Sequence, residues 1–282
     1  MEFISASGED RYAALVRAAR ESVIGLDLDG TLSPIVDDPT RARIHPEAAE
    51  VLIDLADQVA AIAIITGRPA RQALALADLD HVGEAIGEHG KQLHLFGQYG
   101  NERWSSLSQR IVSPRPPRGL SSFLSGLPAV LRGADATDAY VEEKGLAVAV
   151  HTRRLDDPHA AFDRLLAPLS ALATANGLAV EPGRSVIEVR APGTHKGDAV
   201  RTIAAEIGAR GFLFAGDDLG DLEAFSAVDD LARAGVATLL VCSSSDEHDA
   251  LLGRSDLAVD GPVGVLALLR QLTTDAAAVR RH

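Results

Sequence analysis

Val23-Ile24-Gly25-Leu26-Asp27-Leu28-Asp29-Gly30-Thr31-Leu32 is an apolar run broken by two aspartates, a glycine and a threonine. Its first six residues have the length and partly β-branched character of a strand buried on both faces, as in a parallel sheet covered by helices. Asp27 and Asp29 then fall at the carboxyl end of that strand, where open α/β sheets place their ligands. Two apart on an extended segment, their side chains point to the same side, and Gly30 lets the chain turn sharply behind them. Paired carboxylates repel each other unless a cation or a shared proton compensates. Hard oxygen ligands of this kind suit Mg2+, whose octahedral shell also takes waters and phosphate. Alone, Asp-x-Asp-Gly reads equally well as a strand and a polar turn that caps the next element, so partners elsewhere in the chain decide.

Three such partners exist. Ala61-Ile62-Ala63-Ile64-Ile65 is a second buried strand and runs into Thr66-Gly67-Arg68-Pro69, where a hydroxyl, backbone N–H groups and a helix start can face a phosphoryl oxygen. Gly211-Phe212-Leu213-Phe214-Ala215 is a third and breaks into Gly216-Asp217-Asp218-Leu219-Gly220-Asp221. Lys196-Gly197-Asp198 opens a helix that runs to about Gly208, although the positive end of a helix disfavours a cation unless an anion sits between them. Each feature has an ordinary explanation by itself: a helix N-cap by Thr66, a solvated lysine, a polar turn. In a parallel sheet, however, the strand ends converge on one edge, and all four in this order point to a site that handles phosphate. An EF-hand calcium loop is excluded, because such loops lie between helices and end in glutamate.

The 282 residues are 46% hydrophobic and 24% charged, the make-up of a soluble globular protein with a real core. A formal net charge of -13 argues against nucleic acid or an anionic membrane as partner. It leaves a small anion as a partner only where a metal or fixed cations receive it. The single cysteine, Cys242, excludes an internal disulfide. With no basic-then-apolar leader and no run of spanning length, a cytoplasmic location is expected. Nothing in the sequence sets the oligomeric state.

Pro114-Arg115-Pro116-Pro117-Arg118 reads as a linker. Beyond it the pattern predicts a helix over 120–131, strands over 140–143 and 146–152, a helix over 158–176 and a strand over 178–181 before Pro182-Gly183. Ser185 to Val189 is read as the strand that returns to the core. The expected architecture is therefore α/β: a Rossmann-like parallel-sheet core over residues 1–112 and 184–282, with an inserted α+β cap domain over 113–183 and hinges near Pro114–Pro117 and Pro182-Gly183. In the insert, Glu142 with Lys144 and His151 with Arg153 each share one strand face. Such a face is either a sugar-gripping surface or the solvated side of an antiparallel sheet. A helix from about Asp246 and a frayed last ten residues complete the reading.

The four motifs, Asp27-Leu28-Asp29-Gly30-Thr31-Leu32, Thr66-Gly67-Arg68, Lys196-Gly197 and Gly216-Asp217-Asp218-Leu219-Gly220-Asp221, resemble those of the haloacid dehalogenase superfamily of phosphotransferases. The resemblance implies Asp27 as nucleophile, forming an aspartyl-phosphate, and Asp29 as acid/base. It implies Mg2+ held by Asp27, the backbone carbonyl of Asp29 and Asp217, with Asp218 and Asp221 orienting the metal's waters and Lys196. Thr66 and Lys196 would hold the phosphoryl oxygens.

More closely, the chain is similar to the trehalose-6-phosphate phosphatases. Val141-Glu142-Glu143-Lys144 followed by His151-Thr152-Arg153 resembles that family's cap motif, and Gly87-Glu88-His89-Gly90 resembles its glycine-x-histidine-glycine loop. The resemblance implies that Glu142 and Lys144 contact glucose hydroxyls, with His89, Arg153, Glu188 and Arg68 as further substrate contacts. The family usually has Asn where this chain has His195, Glu where it has Gln92, and Thr-Asp-Glu where it reads Gly220-Asp221-Leu222; Glu102 is a second match for the missing loop glutamate. The implied activity is hydrolysis of trehalose 6-phosphate. Sucrose 6-phosphate or glucosyl-3-phosphoglycerate as substrate, and a catalytically silent sugar-phosphate sensor, are the alternatives.

Overall fold

The computed structural model describes residues 2–36, 41–183, 185–244 and 249–280. The chain divides into two compact units, Met1–Ser113 with His195–His282, and Pro114–Thr194.

The first unit begins with β1 (Glu2–Phe3), α1 (Gly8–Arg17), β2 (Ser22–Leu26), α2 (Ala48–Ala56), β3 (Ala61–Ile65), α3 (Ala70–Ala77), α4 (Leu79–Glu88), β4 (Leu93–Gly97) and β5 (Glu102–Ser105). The inserted unit carries α5 (Leu120–Gly133), β6 (Tyr140–Glu143), β7 (Ala147–His151), α6 (Pro158–Ala175), β8 (Ala179–Gly183) and β9 (Val186–Arg190). The first unit then resumes with α7 (Lys196–Ile207), β10 (Gly211–Gly216), α8 (Leu222–Arg233), β11 (Ala237–Ser243), α9 (Asp249–Leu252), β12 (Leu257–Val259) and α10 (Gly261–Val279).

The strands of the first unit form one sheet in the order β1-β12-β11-β10-β2-β3-β4-β5. Pairing is parallel from β12 through β4, and the edge strands β1 and β5 are antiparallel. Every residue of β2, β3 and β10 is buried, which is why these strands read as continuous apolar runs rather than alternating ones. One face packs Ile24, Leu26, Ile62 and Leu213 against α1, α2, α4 and α10. The other packs Val23, Ala63, Phe212 and Phe214 against α7 and α8. Strands β10, β2 and β3 are neighbours at the centre, so the loops after them leave the same edge side by side, as parallel topology requires.

The inserted unit is a four-stranded antiparallel sheet in the order β6-β7-β9-β8. Val148, Val150, Ile187 and Val189 form one face and pack with Phe123 and Leu127 of α5 and Leu165 and Leu169 of α6. The opposite face carries Glu142, Ala149, Glu188 and Glu181 in register across all four strands.

Three expectations are corrected. Residues 186–190 belong to the inserted sheet, not to the core, because β8 and β9 are a hairpin and β9 pairs on its other edge with β7. The boundary expected at 183 therefore falls at Thr194, and Pro182-Gly183 lies at the end of a hairpin strand rather than at a connector. The chain's last helix continues to Val279 instead of fraying over ten residues. The expected helix start near Asp246 lies outside the described residues. Among those described, no helix is long and apolar enough to cross a membrane.

Candidate active site

Asp27 extends the central ladder one residue past β2, its N–H donating to the Ala215 carbonyl at 2.9 Å. This places its carboxylate beside the loop that follows β10. Gly30 then turns the chain with φ +70, and its N–H reaches the Ser33 carbonyl at 2.7 Å. A side chain there is excluded twice, by the left-handed backbone and because a Cβ would lie 2.1 Å from Asp217 Oδ2. From β11, the Ser243 hydroxyl donates to the Gly30 carbonyl at 2.6 Å and fixes the turn from the other side.

Lys196 is the first residue of α7 and is buried. Its ammonium lies 2.7 Å from Asp27 Oδ1 and 2.7 Å from Asp221 Oδ1. Those two carboxylates are the anions that offset the unfavourable helix end. Asp221 Oδ2 accepts from the N–H groups of Asp217 and Asp218, at 3.1 and 3.4 Å. Asp218 caps the same turn, its Oδ1 accepting from Gly220 N at 2.8 Å. Thr66 is buried, accepts from Arg68 N at 3.2 Å and keeps its own hydroxyl proton to donate.

Asp27, Asp217 and Asp221 are all buried, with one oxygen from each lying within 4.8 Å of the others. Burial pushes the Asp27 carboxyl up, Lys196 pulls it back, and Asp221, Asp218 and Asp29 push it further, so it stays well above the usual carboxylate range. Burial likewise raises Asp217 and Asp221, aided by their acidic neighbours and opposed by Lys196. Burial pulls the Lys196 ammonium down, but Asp221, Asp27 and Asp218 more than offset it and hold it charged. Ionising all three carboxyls against one ammonium would leave two uncompensated negative charges, which together with burial is why their pKa values are raised. A small divalent cation would supply the missing charge, and an all-oxygen donor set suits Mg2+. The residues present therefore fit the metal, with Asp27 and Asp217 as side-chain donors. Asp221, both of whose oxygens are already engaged, fits best as the organiser of Lys196 and the turn.

The other expected residues divide. Asp29 does not turn its side chain to the acidic cluster: both oxygens meet Arg68, at 2.6 Å to Nε and 2.7 Å to Nη2. Arg68, expected as a substrate contact, therefore grips a protein carboxylate. His89 is not at the site. It follows α4, pairs with Asp57 at 2.9 Å, and lies beside the segment that leads into the start of β3, at the edge of the sheet opposite to Asp27. The loop after β4 is Gly97-Gln98-Tyr99-Gly100-Asn101-Glu102, and it abuts Thr66-Gly67-Arg68: Tyr99 N donates to the Thr66 carbonyl at 3.0 Å and Gln98 N to the Arg68 carbonyl at 2.8 Å. Its glutamate, Glu102, accepts from Ala70 N at 2.6 Å. Gln92 lies just before β4, whereas Glu102 follows the loop after it.

In the inserted unit, Glu142 meets His151 at 3.0 Å and Lys144 meets the buried Glu188 at 2.6 Å. Glu188, placed in the core by the sequence reading, is on the same polar face as Glu142. Arg153 is exposed beyond the end of β7. Ser243 was missed, though its signal was the one that found Thr66: an apolar strand running into a hydroxyl.

The trehalose-phosphatase family model matches residues 25–258, from inside β2 to inside β12. This chain belongs to the trehalose-phosphatase family. A Mycobacterium tuberculosis protein called an uncharacterized glycosyl hydrolase is 33% identical over 284 residues, covering 96% of this chain but 20% of its own length. The chain thus spans about a fifth of that relative. A probable trehalose-phosphate phosphatase 9 of rice is 29% identical, covering 97% of this chain and 75% of the rice protein. Among solved structures, the C-terminal domain of trehalose-6-phosphate phosphatase from C. albicans superposes with a TM-score of 0.74 at 19% identity, over 97% of this chain and 98% of that one. At that identity the likeness establishes the fold.

Proposed function

We propose that this protein is a Mg2+-dependent phosphatase that hydrolyses trehalose 6-phosphate to trehalose and inorganic phosphate through an aspartyl-phosphate. The observation that carries the reading is the buried Asp27–Lys196–Asp221 chain next to Asp217 and at the same sheet edge as Thr66, in a member of the trehalose-phosphatase family.

Asp27 Oδ attacks phosphorus while the P–O bond to the sugar breaks, and Asp29 gives a proton to the departing sugar oxygen. Asp29 then takes a proton from water as that water attacks the phosphorus, which releases phosphate and restores the Asp27 carboxylate. Lys196 and Thr66 hold the phosphoryl oxygens throughout. When bound, Mg2+ supplies the charge neutralisation that lets one anion approach another, held by Asp27, Asp217 and the carbonyl of Asp29. The polar face that carries the half-buried Glu142 and Lys144 and the buried Glu188 supports a polyhydroxylated leaving group, since charged groups of both signs held out of bulk water are suited to sugar hydroxyls. The departures at His195, Gln92, Gly220 and Leu222 leave Asp27, Asp29, Lys196 and Asp217 intact, so they bear on the sugar and not on the phosphate chemistry.

The test is phosphate release from trehalose 6-phosphate with and without Mg2+, beside glucose 6-phosphate, sucrose 6-phosphate and glucosyl-3-phosphoglycerate. Selective, Mg2+-dependent release from trehalose 6-phosphate supports the proposal. Better turnover of another substrate overturns the sugar, and no release from any of the four overturns the activity.

A further inference from the structure

We propose that Arg68 is the positioning residue of the acid/base carboxylate, holding Asp29 by a two-pronged grip rather than holding the substrate. The inference rests on the phosphatase reading above and adds to it the group that aims the proton.

The grip is a parallel pair of charge-assisted bonds, Arg68 Nε to Asp29 Oδ2 at 2.6 Å and Nη2 to Oδ1 at 2.7 Å. Such a fork fixes the plane of a carboxylate as well as its place. Asp29 needs that help. Its side chain is 38% exposed, against 6% for Asp27, so packing does not set its rotamer. Arg68, at 11%, is much better enclosed. Each Asp29 oxygen accepts one bond from Arg68 and keeps a lone pair for the sugar oxygen or the water.

Arg68 is itself held by its main chain on both sides. Its N–H reaches Thr66 Oγ1 at 3.2 Å, and its carbonyl accepts from Gln98 N at 2.8 Å. Next to it, Gly67 lies under the ring of Tyr99, so close that a Cβ would meet the ring at 2.8 Å. Two residues on, Ala70 N is bound by Glu102 at 2.6 Å. The clamping loop carries two non-glycine residues in left-handed backbone, Gln98 with φ 45 and Tyr99 with φ 61. Backbone strain of this kind persists where surrounding structure over-determines it, and it clusters at functional sites. Here the strained loop fixes the Arg68 backbone, and Arg68 fixes Asp29.

A positioning role through the general acid makes a prediction that substrate binding does not. A sugar alkoxide leaves only with a proton, whereas p-nitrophenolate leaves without one. The constant kcat/KM reports the steps up to the first bond cleavage, so it isolates the acid role of Asp29 from its later role as base. We expect Arg68→Ala to lower kcat/KM for trehalose 6-phosphate about 10- to 100-fold and that for p-nitrophenyl phosphate less than about threefold, paralleling the larger and equally selective loss in Asp29→Asn. Arg68→Lys, which keeps the charge but not the fork, follows Arg68→Ala, and added guanidinium restores part of the Arg68→Ala activity toward trehalose 6-phosphate. Circular dichroism and melting of both Arg68 variants establish that the fold is retained, and Arg68→Lys carries the test should the alanine variant unfold. Equal losses on both substrates in the Arg68 variants, beside a selective loss in Asp29→Asn, overturn the inference and return Arg68 to phosphate binding. Equal losses in Asp29→Asn itself overturn the acid role of Asp29, and the inference falls with that reading.

Discussion

The Lys196 ammonium lies 2.7 Å from Asp27 Oδ1, with both side chains all but inaccessible to solvent. The same nitrogen is 2.7 Å from Asp221, so one cation separates two buried anions. Removing it by Lys196→Met leaves those anions facing each other, and breaking a buried pair in this way costs about 3–5 kcal/mol. Urea unfolding at pH 7 should show that loss. Adding Asp221→Asn to the same protein should recover much of the stability, because it removes one of the stranded charges. Phosphate release should stay abolished in the double variant, since the group proposed to hold the phosphoryl oxygens is still missing.

Metal binding gives a prediction of opposite sign. The Asp217 carboxyl is pushed far up by burial and by Asp27, Asp218 and Asp221. A carboxyl whose folded pKa is raised opposes folding above its unfolded value of about 3.9, where the unfolded chain ionises freely. In the absence of divalent cations, Asp217→Asn should therefore melt at or above the wild-type temperature at pH 7. With Mg2+ the order should reverse, because a ligand that binds only the folded state stabilises it by mass action. Melting curves of the two proteins across a Mg2+ titration check this. A wild-type protein indifferent to Mg2+ would remove the metal from the site.

How much of this was legible in the sequence follows from what each signal depends on. The strands that end in Asp27, Thr66 and Asp217 are buried on both faces and leave continuous apolar runs, so the core and its convergent edge could be read directly. The strand Val186–Arg190 alternates, and alternation states only that one face is buried; it does not say in which sheet. That is why Glu188 was assigned to the wrong unit. The Gly87–Gly90 and Gly97–Glu102 segments both offer glycines around a short loop, and only the strand that precedes the second one distinguishes them. The Arg68–Asp29 grip spans 39 residues of sequence, and nothing local records it.

The pH dependence of stability should carry a signature of His94. Burial and the neighbouring Arg103 lower its pKa, with Glu206 acting weakly the other way, and its Nε2 is buried without a hydrogen-bond partner. The folded protein thus keeps the imidazole neutral where the unfolded chain, with a pKa of about 6.5, takes up a proton. The resulting stability is present above about pH 6.5 and is lost as pH falls below it toward the folded value. Wild-type and His94→Gln proteins should diverge in the slope of unfolding free energy between about pH 7 and 5.5, with the variant flatter. Using the difference between the two removes the carboxylates of the acidic cluster, which titrate in both. Parallel slopes would show that His94 takes up its proton as readily in the fold as in the unfolded chain, and burial would then carry no penalty there.

The last prediction concerns the sugar. Glu188 is 5% exposed and holds Lys144 at 2.6 Å, while Glu142 holds His151 at 3.0 Å on the same face. Four charged or polar groups so arranged on a sheet whose other face packs the apolar core of the unit are more than solvent contact requires, because a solvated face has no need to bury a glutamate. If this face grips the leaving sugar, Glu188→Gln weakens a charge-assisted bond of about 1.5–3 kcal/mol and raises KM for trehalose 6-phosphate about tenfold or more. The kinetics of p-nitrophenyl phosphate, which lacks the sugar, should not change. Steady-state constants for both substrates in one protein preparation decide the matter: a KM effect confined to trehalose 6-phosphate assigns the face to sugar recognition, and equal constants in wild type and variant return it to structure.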